Sequence, residues 1–579
     1  MVWFRMSVKD KTKAANHKTE PMRRDIGQLT GKPYDLLVIG AGIYGACIAW
    51  DAALRGLSVA LLEKADFGHA TSANSLKTVH GGLRYLQHAD FKRMRESIRE
   101  RRALLHVAPH LVHPLPCLMP TYGHSLKGPE VMSIALLLND LVSFDRNQLP
   151  DPGKHLPRGH IISREECLEL MPGIAEEGLT GAALWYDAQM YNSERLTLSF
   201  VLSAAHRGAA VANYAEVVGF LRQGNRVVGV EARDTLTGGV FPVRARMVVN
   251  AAGPWVDQVL GMAAGASPLG VRLAKAINVA TRPIFEKYAV GIAGRRQYSD
   301  NDPVLNRGSR LFFVVPWRDQ SLIGTTYSEY EGEPDDFQVT EADVEALLDE
   351  VNDVYPPARL TPADVLFVYK GLVPIAGVHE QTGEVQRQKS YQIRDHREDG
   401  IEGLISVLGV KYTTARDVAE KVVDQIYTSW NQTPTASRSE RVPVVGGDIE
   451  DFAGFVESVT RERPGALPVR CLQPLLYNYG TAYRGVLHYY QQRARPLRKE
   501  RALLEAQVRY AVCHEMAQTL SDVIFRRTEV GTGGHPGAET LTFCAGVMAD
   551  ESGWDRDRVG QEIENASRLF APARIPVIS

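Results

Sequence analysis

The sequence predicts an α/β fold in three parts: a domain built on a parallel sheet, a mixed sheet inserted into it, and a helical domain toward the C-terminal end. Three observations predict it. The stretch "DLLVIGAGIYGACIAWDAALRGLSVALLEK" (35–64) passes from an apolar strand through a glycine turn into a helix and back to a strand. Between residues 226 and 327 the pattern becomes β-rich, with turn signals at Gly238–Gly239 and around Asp319. From about residue 443 the periodicity is helical, as in "KERALLEAQVRYAVCHEMAQTLSDVIF" (499–525).

Taken in order, residues 1–33 are polar and basic-leaning and lack the long apolar segment of a signal peptide, so a disordered extension is expected, with Met6 and Met22 as later starts. The first domain, with its insert, is expected over 34–430. Residues 35–40 are continuously apolar, as a parallel strand buried on both faces should be. A helix is expected from about Ile43 to Arg55, ended by Gly56, with "SVALLE" as the second strand. "RVVGVEARD" (226–234) and "VFPVRARMVVNAAG" (240–253) read as adjacent strands, and "LFFVVPWRDQSLIGTTY" (311–327) as a hairpin. "GLISVLGVKYTTARDVAEKVVDQIY" (403–427) returns to strand, turn and helix. A polar linker is expected over 431–442 and the helical domain over 443–579.

Composition excludes several classes. Apolar residues make up 44% and charged residues 23% of 579, and the net charge is −2, which gives no drive toward nucleic acid. Six scattered cysteines without a C-x-x-C pair argue against a disulfide framework or a cysteine zinc site, and place the chain in a reducing cytoplasm. His106, His110 and His113 have ligand-like spacing, but Pro109 and Pro114 break the helix that would align them, so no metal is expected. "DFKRMRESIRERR" (90–102) reads as a solvated helix face capped by Asp90. "VMSIALLLNDLVSF" (131–144) reads as a core helix, with docking on a lipid surface as the alternative.

Gly40, Gly42 and Gly45 form G-x-G-x-x-G in its full context of strand, helix, strand and acid. Gly40 permits the tight turn, Gly42 lets backbone approach a pyrophosphate, and Gly45 lets helix pack on strand. The helix N-terminus favours phosphate. Glu63 at the end of the next strand can accept from ribose hydroxyls and would repel a 2′-phosphate, so NADP is disfavoured. "HATSANSLKTVHGGLRYLQ" (69–87), small and glycine-containing, suits an extended cofactor and favours FAD over NAD.

These strings, with "TVHGGLRYL" (78–86), "NAAGPWVD" (250–257), "VVPWRDQSLIGTTY" (314–327), "GVKYTTAR" (409–416) and "RYAVCHEMAQTLSDVIFRRT" (509–528), resemble the FAD-dependent glycerol-3-phosphate dehydrogenases from Tyr34 nearly to the end. The resemblance implies a glutathione-reductase-like, Rossmann-type FAD domain, a mixed-sheet substrate domain and a helical C-terminal domain. It implies oxidation of a polyol phosphate, glycerol 3-phosphate to dihydroxyacetone phosphate, with electrons passed to a quinone or another acceptor. It also implies peripheral contact with the inner face of the membrane, and leaves a homodimer open.

Carried over, the resemblance assigns Gly40, Gly42, Ile43, Tyr44, Gly45, Glu63 and Lys64 to the ADP half of FAD. Thr71, Ser72, His80, Gly81, Gly82 and Leu83 would lie along the pyrophosphate and flavin. Val217, Ala251, Ala252 and Gly253 form further cofactor contacts, and Gly409, Val410, Lys411, Tyr412 and Thr413 close the far side. Arg84 and Lys411 would grip phosphate, with Tyr85 and Thr326 beside the substrate. His80, Lys275 and Arg84 are the catalytic candidates, and His80 suits a base working near neutral pH. Three positions depart from the family pattern. Val373 stands for arginine in "GLVP", Asn278 for histidine in "KAIN", and Tyr327 for an acid in "GTTY". Each removes a charged or titratable group, which keeps open a different hydroxy substrate or a flavin-binding protein without activity.

Overall fold

A computed structural model of the chain describes residues 21–124, 128–263, 265–266, 268–297, 309–379, 385–492 and 496–570. Residues 1–20 of the expected extension lie outside it. Residues 22–33 are tied to the body: Met22 N–H donates to His514 O at 3.1 Å, Arg24 pairs with Asp234 at 2.8 Å, and a short helix, Ile26–Thr30, follows.

The parallel sheet runs Leu404–Leu408, Val240–Asn250, Tyr34–Ile39, Val59–Leu62, Ala210–Ala212, with Gln392–Asp395 antiparallel at the edge. Its central strand has no polar face because helices cover both sides of such a sheet. The helix Ile43–Leu54 is buried at every residue but Tyr44, against the helices Ser193–His206 and Ala415–Ser429. An apolar helix of this kind has no solvent side to show. Gly56, at φ +87°, ends it. Strand Val240–Asn250 serves two sheets. Its first half pairs antiparallel with Arg226–Asp234, and its second half lies parallel to Tyr34–Ile39. That register sets Asn250 beside Ile39, so the chain after each strand turns in the same place.

The second sheet is mostly antiparallel. Val365–Val378, Arg272–Thr281, Gln320–Tyr330 and Ser309–Trp317 lie side by side, followed by Ala289–Gln297, Val112–Tyr122 and Leu179–Met190. The hairpin turn falls at Arg318 and Asp319, between Trp317 and Gln320.

Residues 431–440 are not a loose connector. Ser437 Oγ donates to Asp51 at 2.5 Å and Arg438 to Leu54 O at 3.0 Å. The helical part includes Phe452–Glu462, Val469–Tyr479, Tyr483–Gln491, Lys499–His514, Ala538–Ser552 and Arg556–Arg568. Buried ion pairs join it to the first domain. Arg195 meets Glu515 at 2.5 Å, and a π-helical turn, Val523–Arg527, aims both Arg526 and Arg527 at Asp66. Asp66 sits three residues past Glu63, so the C-terminal domain anchors the loop that follows the second strand.

Candidate active site

A cavity of about 1350 Å³ opens between the two sheets. At one end lies the glycine turn. Gly40 has φ +92°, and a Cβ there would come within 2.7 Å of Ala251 O. A Cβ on Gly45 would lie 1.8 Å from Gly40 O, so Gly45 sets helix-on-strand contact and does not line the cavity. Gly42 caps the helix without a side chain, and the Ile43 amide donates to Ser72 Oγ at 2.9 Å. Glu63 is buried, and accepts from the Ala41 amide at 2.7 Å and the Ala65 amide at 3.1 Å. A carboxylate has about four acceptor sites, so ribose hydroxyls still find lone pairs.

Lys64, Thr71, Ser72, Val217 and Leu83 line the same space, as do Ala251, Ala252 and Gly253. Lys64 is bridged to Asp335 at 2.5 Å and rests over Trp255. Gly409 to Thr413 form the opposite wall. Tyr44 holds that wall in place. Its hydroxyl donates to Lys411 O at 2.7 Å and accepts from the Val410 and Lys411 amides at 3.2 Å. Gly409 is required beneath it, because a Cβ there would lie 2.0 Å from the Tyr44 ring. An elongated cavity with a glycine-lined turn at a helix N-terminus, an acid at the next strand end and a closing loop fits a dinucleotide as long as FAD.

The other end is cationic. Arg84, Tyr85, Arg93, Lys411 and Arg387 all line it. The Lys411 ammonium stands 4.2 Å from the Tyr85 ring centroid, and the Arg93 guanidinium 5.3 Å from it. Burial, and then the charge of Arg84, push the Lys411 pKa down to about 8. Among the described residues no carboxylate pairs with that ammonium. His80 is half-exposed to the cavity, with Nδ1 3.3 Å from Asp187 Oδ2. Burial would raise the Asp187 carboxyl, but His80, Arg101 and the Gly81 amide outweigh it and hold it down at about 2. An ionised carboxylate fixed on one ring nitrogen orients the other toward substrate and stabilises an imidazolium.

Besides Gly45, three expected site residues do not face this space. Lys275 lies on Arg272–Thr281, where Ala276 and Asn278 line the cavity; Lys275 takes the other face and pairs with Asp343 at 3.2 Å. Thr326 is likewise turned away between Thr325 and Tyr327, which do line it. Strand side chains alternate, so each is one residue out of phase. Gly81 is occupied by the protein itself. Its amide donates to Asp187 at 2.6 Å, and a Cβ would meet the Arg101 guanidinium at 2.0 Å. Of the departures, Val373 and Tyr327 line the cavity, and Asn278 is buried, accepting from Thr325 Oγ1 at 2.6 Å. The sequence reading missed Asp187 and Arg387. Among the described residues no group of histidine, cysteine or acidic side chains could hold a metal.

The fold and this site define a dinucleotide-dependent oxidoreductase. The family described as FAD dependent oxidoreductase matches residues 35–407, and the C-terminal domain of alpha-glycerophosphate oxidase matches residues 437–559. The chain belongs to the FAD-dependent oxidoreductase family, and its cofactor is FAD. A glycerol-3-phosphate dehydrogenase of Synechocystis is 32% identical, across 96% of this chain and 99% of its own length. One from Mycobacterium leprae is 32% identical across 92% and 87%. The crystal structure of glycerol-3-phosphate dehydrogenase from Bacillus halodurans complexed with FAD superposes with a TM-score of 0.74 at 27% identity, covering 94% of this chain and 96% of that one.

Proposed function

We propose that the chain oxidises glycerol 3-phosphate to dihydroxyacetone phosphate and passes the electrons to a quinone or another acceptor at the membrane surface. The observation that carries the reading is Lys411, a partly buried ammonium beside Arg84 with no carboxylate among the described residues to neutralise it. An anionic group completes such a site, and Arg and Lys suit phosphate as fork and point charge. When bound, FAD supplies a two-electron acceptor for the carbinol. The glycine turn, Glu63 and the Gly409–Thr413 wall would hold it. Lys411 and Arg84 anchor the substrate phosphate. His80 accepts the hydroxyl proton on the nitrogen that Asp187 leaves open, and Asp187 stabilises the resulting imidazolium. Arg387 supplies the cation that Val373 lacks. It stands on Val385–Arg387, the strand paired with Val365–Val378, with its guanidinium 5.5 Å from the Tyr327 ring centroid.

No described helix is long and apolar enough to cross a membrane, so contact with a bilayer would be peripheral, from the cytoplasmic side. A larger polyol phosphate is the second reading, favoured by the three side chains that depart from the family pattern. Anaerobic bleaching of the flavin by a panel of polyol phosphates tests both. Fast bleaching by glycerol 3-phosphate supports the first. Bleaching only by a longer polyol phosphate selects the second, and none by any member refutes both.

A further inference from the structure

The strand pairing that brings His80 to Asp187 also brings a third charge. Thr78–Val79 lies antiparallel to Leu179–Met190, with Thr78 opposite Gln189 and Val79 opposite Ala188. The next step along this register sets His80 against Asp187. On its other edge Leu179–Met190 pairs with Val112–Tyr122, and Asp187 lies opposite Leu115. Asp187 is therefore an interior carboxylate, 5% exposed. Arg101, 3% exposed, reaches it from the helix Phe91–Val107. Arg101 Nη1 donates to Asp187 Oδ1 at 2.6 Å and to Tyr186 O at 2.8 Å. The Gly81 amide donates to the same Oδ1 at 2.6 Å. Two donors thus fill Oδ1, and Oδ2 is left to His80 Nδ1 at 3.3 Å. The guanidinium also lies against Gly81, where a Cβ would meet Nη1 at 2.0 Å. Residue 81 is glycine because Arg101 takes the space a side chain would need.

The charges decide what His80 can do. A carboxylate this buried needs a counter-charge. Were His80 its sole partner, only the imidazolium would neutralise Asp187, and a histidine that already holds the proton cannot take one. Arg101 supplies the counter-charge permanently, because a guanidinium does not lose its proton in a protein. Asp187 then keeps its hold on Nδ1 without requiring a proton on the other ring nitrogen. The neighbouring groups do not replace Arg101 in this. Cys117 on Val112–Tyr122 faces both Arg101 and Asp187, but burial pushes its thiol well up and keeps it neutral. Arg146 faces Arg101 and is paired with Asp140 at 3.1 Å. From Ser309–Trp317, His80 meets the uncharged Phe313 ring at 6.2 Å. Arg84 and Lys411 line the cavity with His80, whereas Arg101 does not line it.

We propose that Arg101 is the positioning residue of the proton acceptor: by filling one oxygen of Asp187 and cancelling its charge, it aims the other oxygen at His80 and leaves the imidazole free to take the hydroxyl proton. This deepens the reaction proposed above and rests on His80 as its base. The test follows kcat and KM for glycerol 3-phosphate against pH, by dye-linked oxidation with the FAD-loaded full chain. Loss of a positive charge beside a titrating pair raises the proton affinity of the pair. Arg101→Gln should therefore move the acid limb of the kcat profile up by about one pH unit. KM should change less than about twofold, because Arg101 does not touch the cavity. Arg101→Lys, which restores the charge, should return the limb to its wild-type position. Gly81→Ala keeps every charge but drives the guanidinium off Asp187, so it should move the limb the same way, and it carries the test if Arg101→Gln does not fold. A limb that stays in place in the folded variants overturns the proposal, as does Arg101→Lys shifting it as far as Arg101→Gln. His80→Gln separates this from the reading beneath it. An acid limb that survives in His80→Gln belongs to another group and refutes His80 as the base. A limb lost in His80→Gln but unmoved in Arg101→Gln refutes the role of Arg101 alone.

Discussion

Raising the pH through 8 separates a Lys411 that grips substrate phosphate from one that only fills space. Burial and Arg84 hold its pKa at about 8, far below that of an exposed lysine. At pH 7 about nine in ten free-enzyme molecules carry the charge, and each unit above 8 removes about tenfold of it. From pH 7 upward the substrate phosphate no longer changes charge, because its second pKa lies near 6. The expected profile of kcat/KM is therefore flat to about pH 8 and then falls by about tenfold per unit. Bound phosphate favours the ammonium, so kcat should hold to higher pH than kcat/KM. Lys411→Met should remove the inflection and raise KM by about 10- to 100-fold, the equivalent of a charged hydrogen bond of about 1.5–3 kcal/mol. Dye-linked turnover under steady-state conditions measures all of this. A wild-type profile without an inflection between 7 and 9.5, or the same inflection in Lys411→Met, refutes the assignment.

Asp66→Asn should destabilise the protein by about 3–5 kcal/mol, because Arg527 stays buried without a counter-charge and Arg526 keeps only Asp522; thermal unfolding and flavin retention read the loss. Burial alone would raise the Asp66 carboxyl, but Arg527 and Arg526 hold it well below the usual carboxylate range, so its contribution is complete above about pH 4 and drains away as pH falls below that. Gly409→Ala should lower the flavin-to-protein ratio, since its Cβ displaces the Tyr44 ring that ties Val410 and Lys411 to the cofactor helix. Lys275→Met should change kcat by less than about twofold, as expected of a side chain facing away from the site; a collapse of kcat would return Lys275 to the catalytic set.

The cofactor half of the site was legible in the sequence because its constraints are local and steric. A glycine that must have φ +92°, or must leave 1.8 Å to a carbonyl oxygen, admits no other residue, and the strand and helix around it announce where the turn falls. The parallel strands were legible because burial on both faces leaves them wholly apolar. The substrate half depends on which face of a strand a residue takes, and a shift of one position reverses it. That is how Lys275 and Thr326 entered the expected site while Ala276, Thr325 and Tyr327 line it. Asp187 was not legible, because its partner His80 is 107 residues away and nothing in either local pattern names the other. The helix Pro129–Val142 misled for a different reason: Met132 and Leu136 are buried, while Ile134, Leu137 and Leu141 are exposed. Composition shows how much of a helix is apolar, and not which of its sides the rest of the protein leaves uncovered.

The three departures raise the question of whether the pocket is a relic, and Lys411 answers it through stability. In the unfolded chain a lysine titrates near 10.4; in the fold this one titrates at about 8, so the folded state disfavours the ammonium. The penalty is in full force below pH 8, is relieved between 8 and 10.4, and at neutral pH amounts to at most about 3 kcal/mol. A scaffold with no anionic ligand would be more stable without that charge. Lys411→Met, with a stem of similar length and no ammonium, should therefore raise the Tm of the substrate-free holoprotein at pH 7 while weakening binding of a phosphorylated substrate. Opposite movement of stability and affinity is what a site held for a ligand shows. The neighbouring Tyr327 sets an aromatic face, and not an acid, against Arg387. A Lys411→Met protein less stable than wild type would show that the ammonium is satisfied within the fold, and the case for a phosphate-binding pocket would lose its principal support.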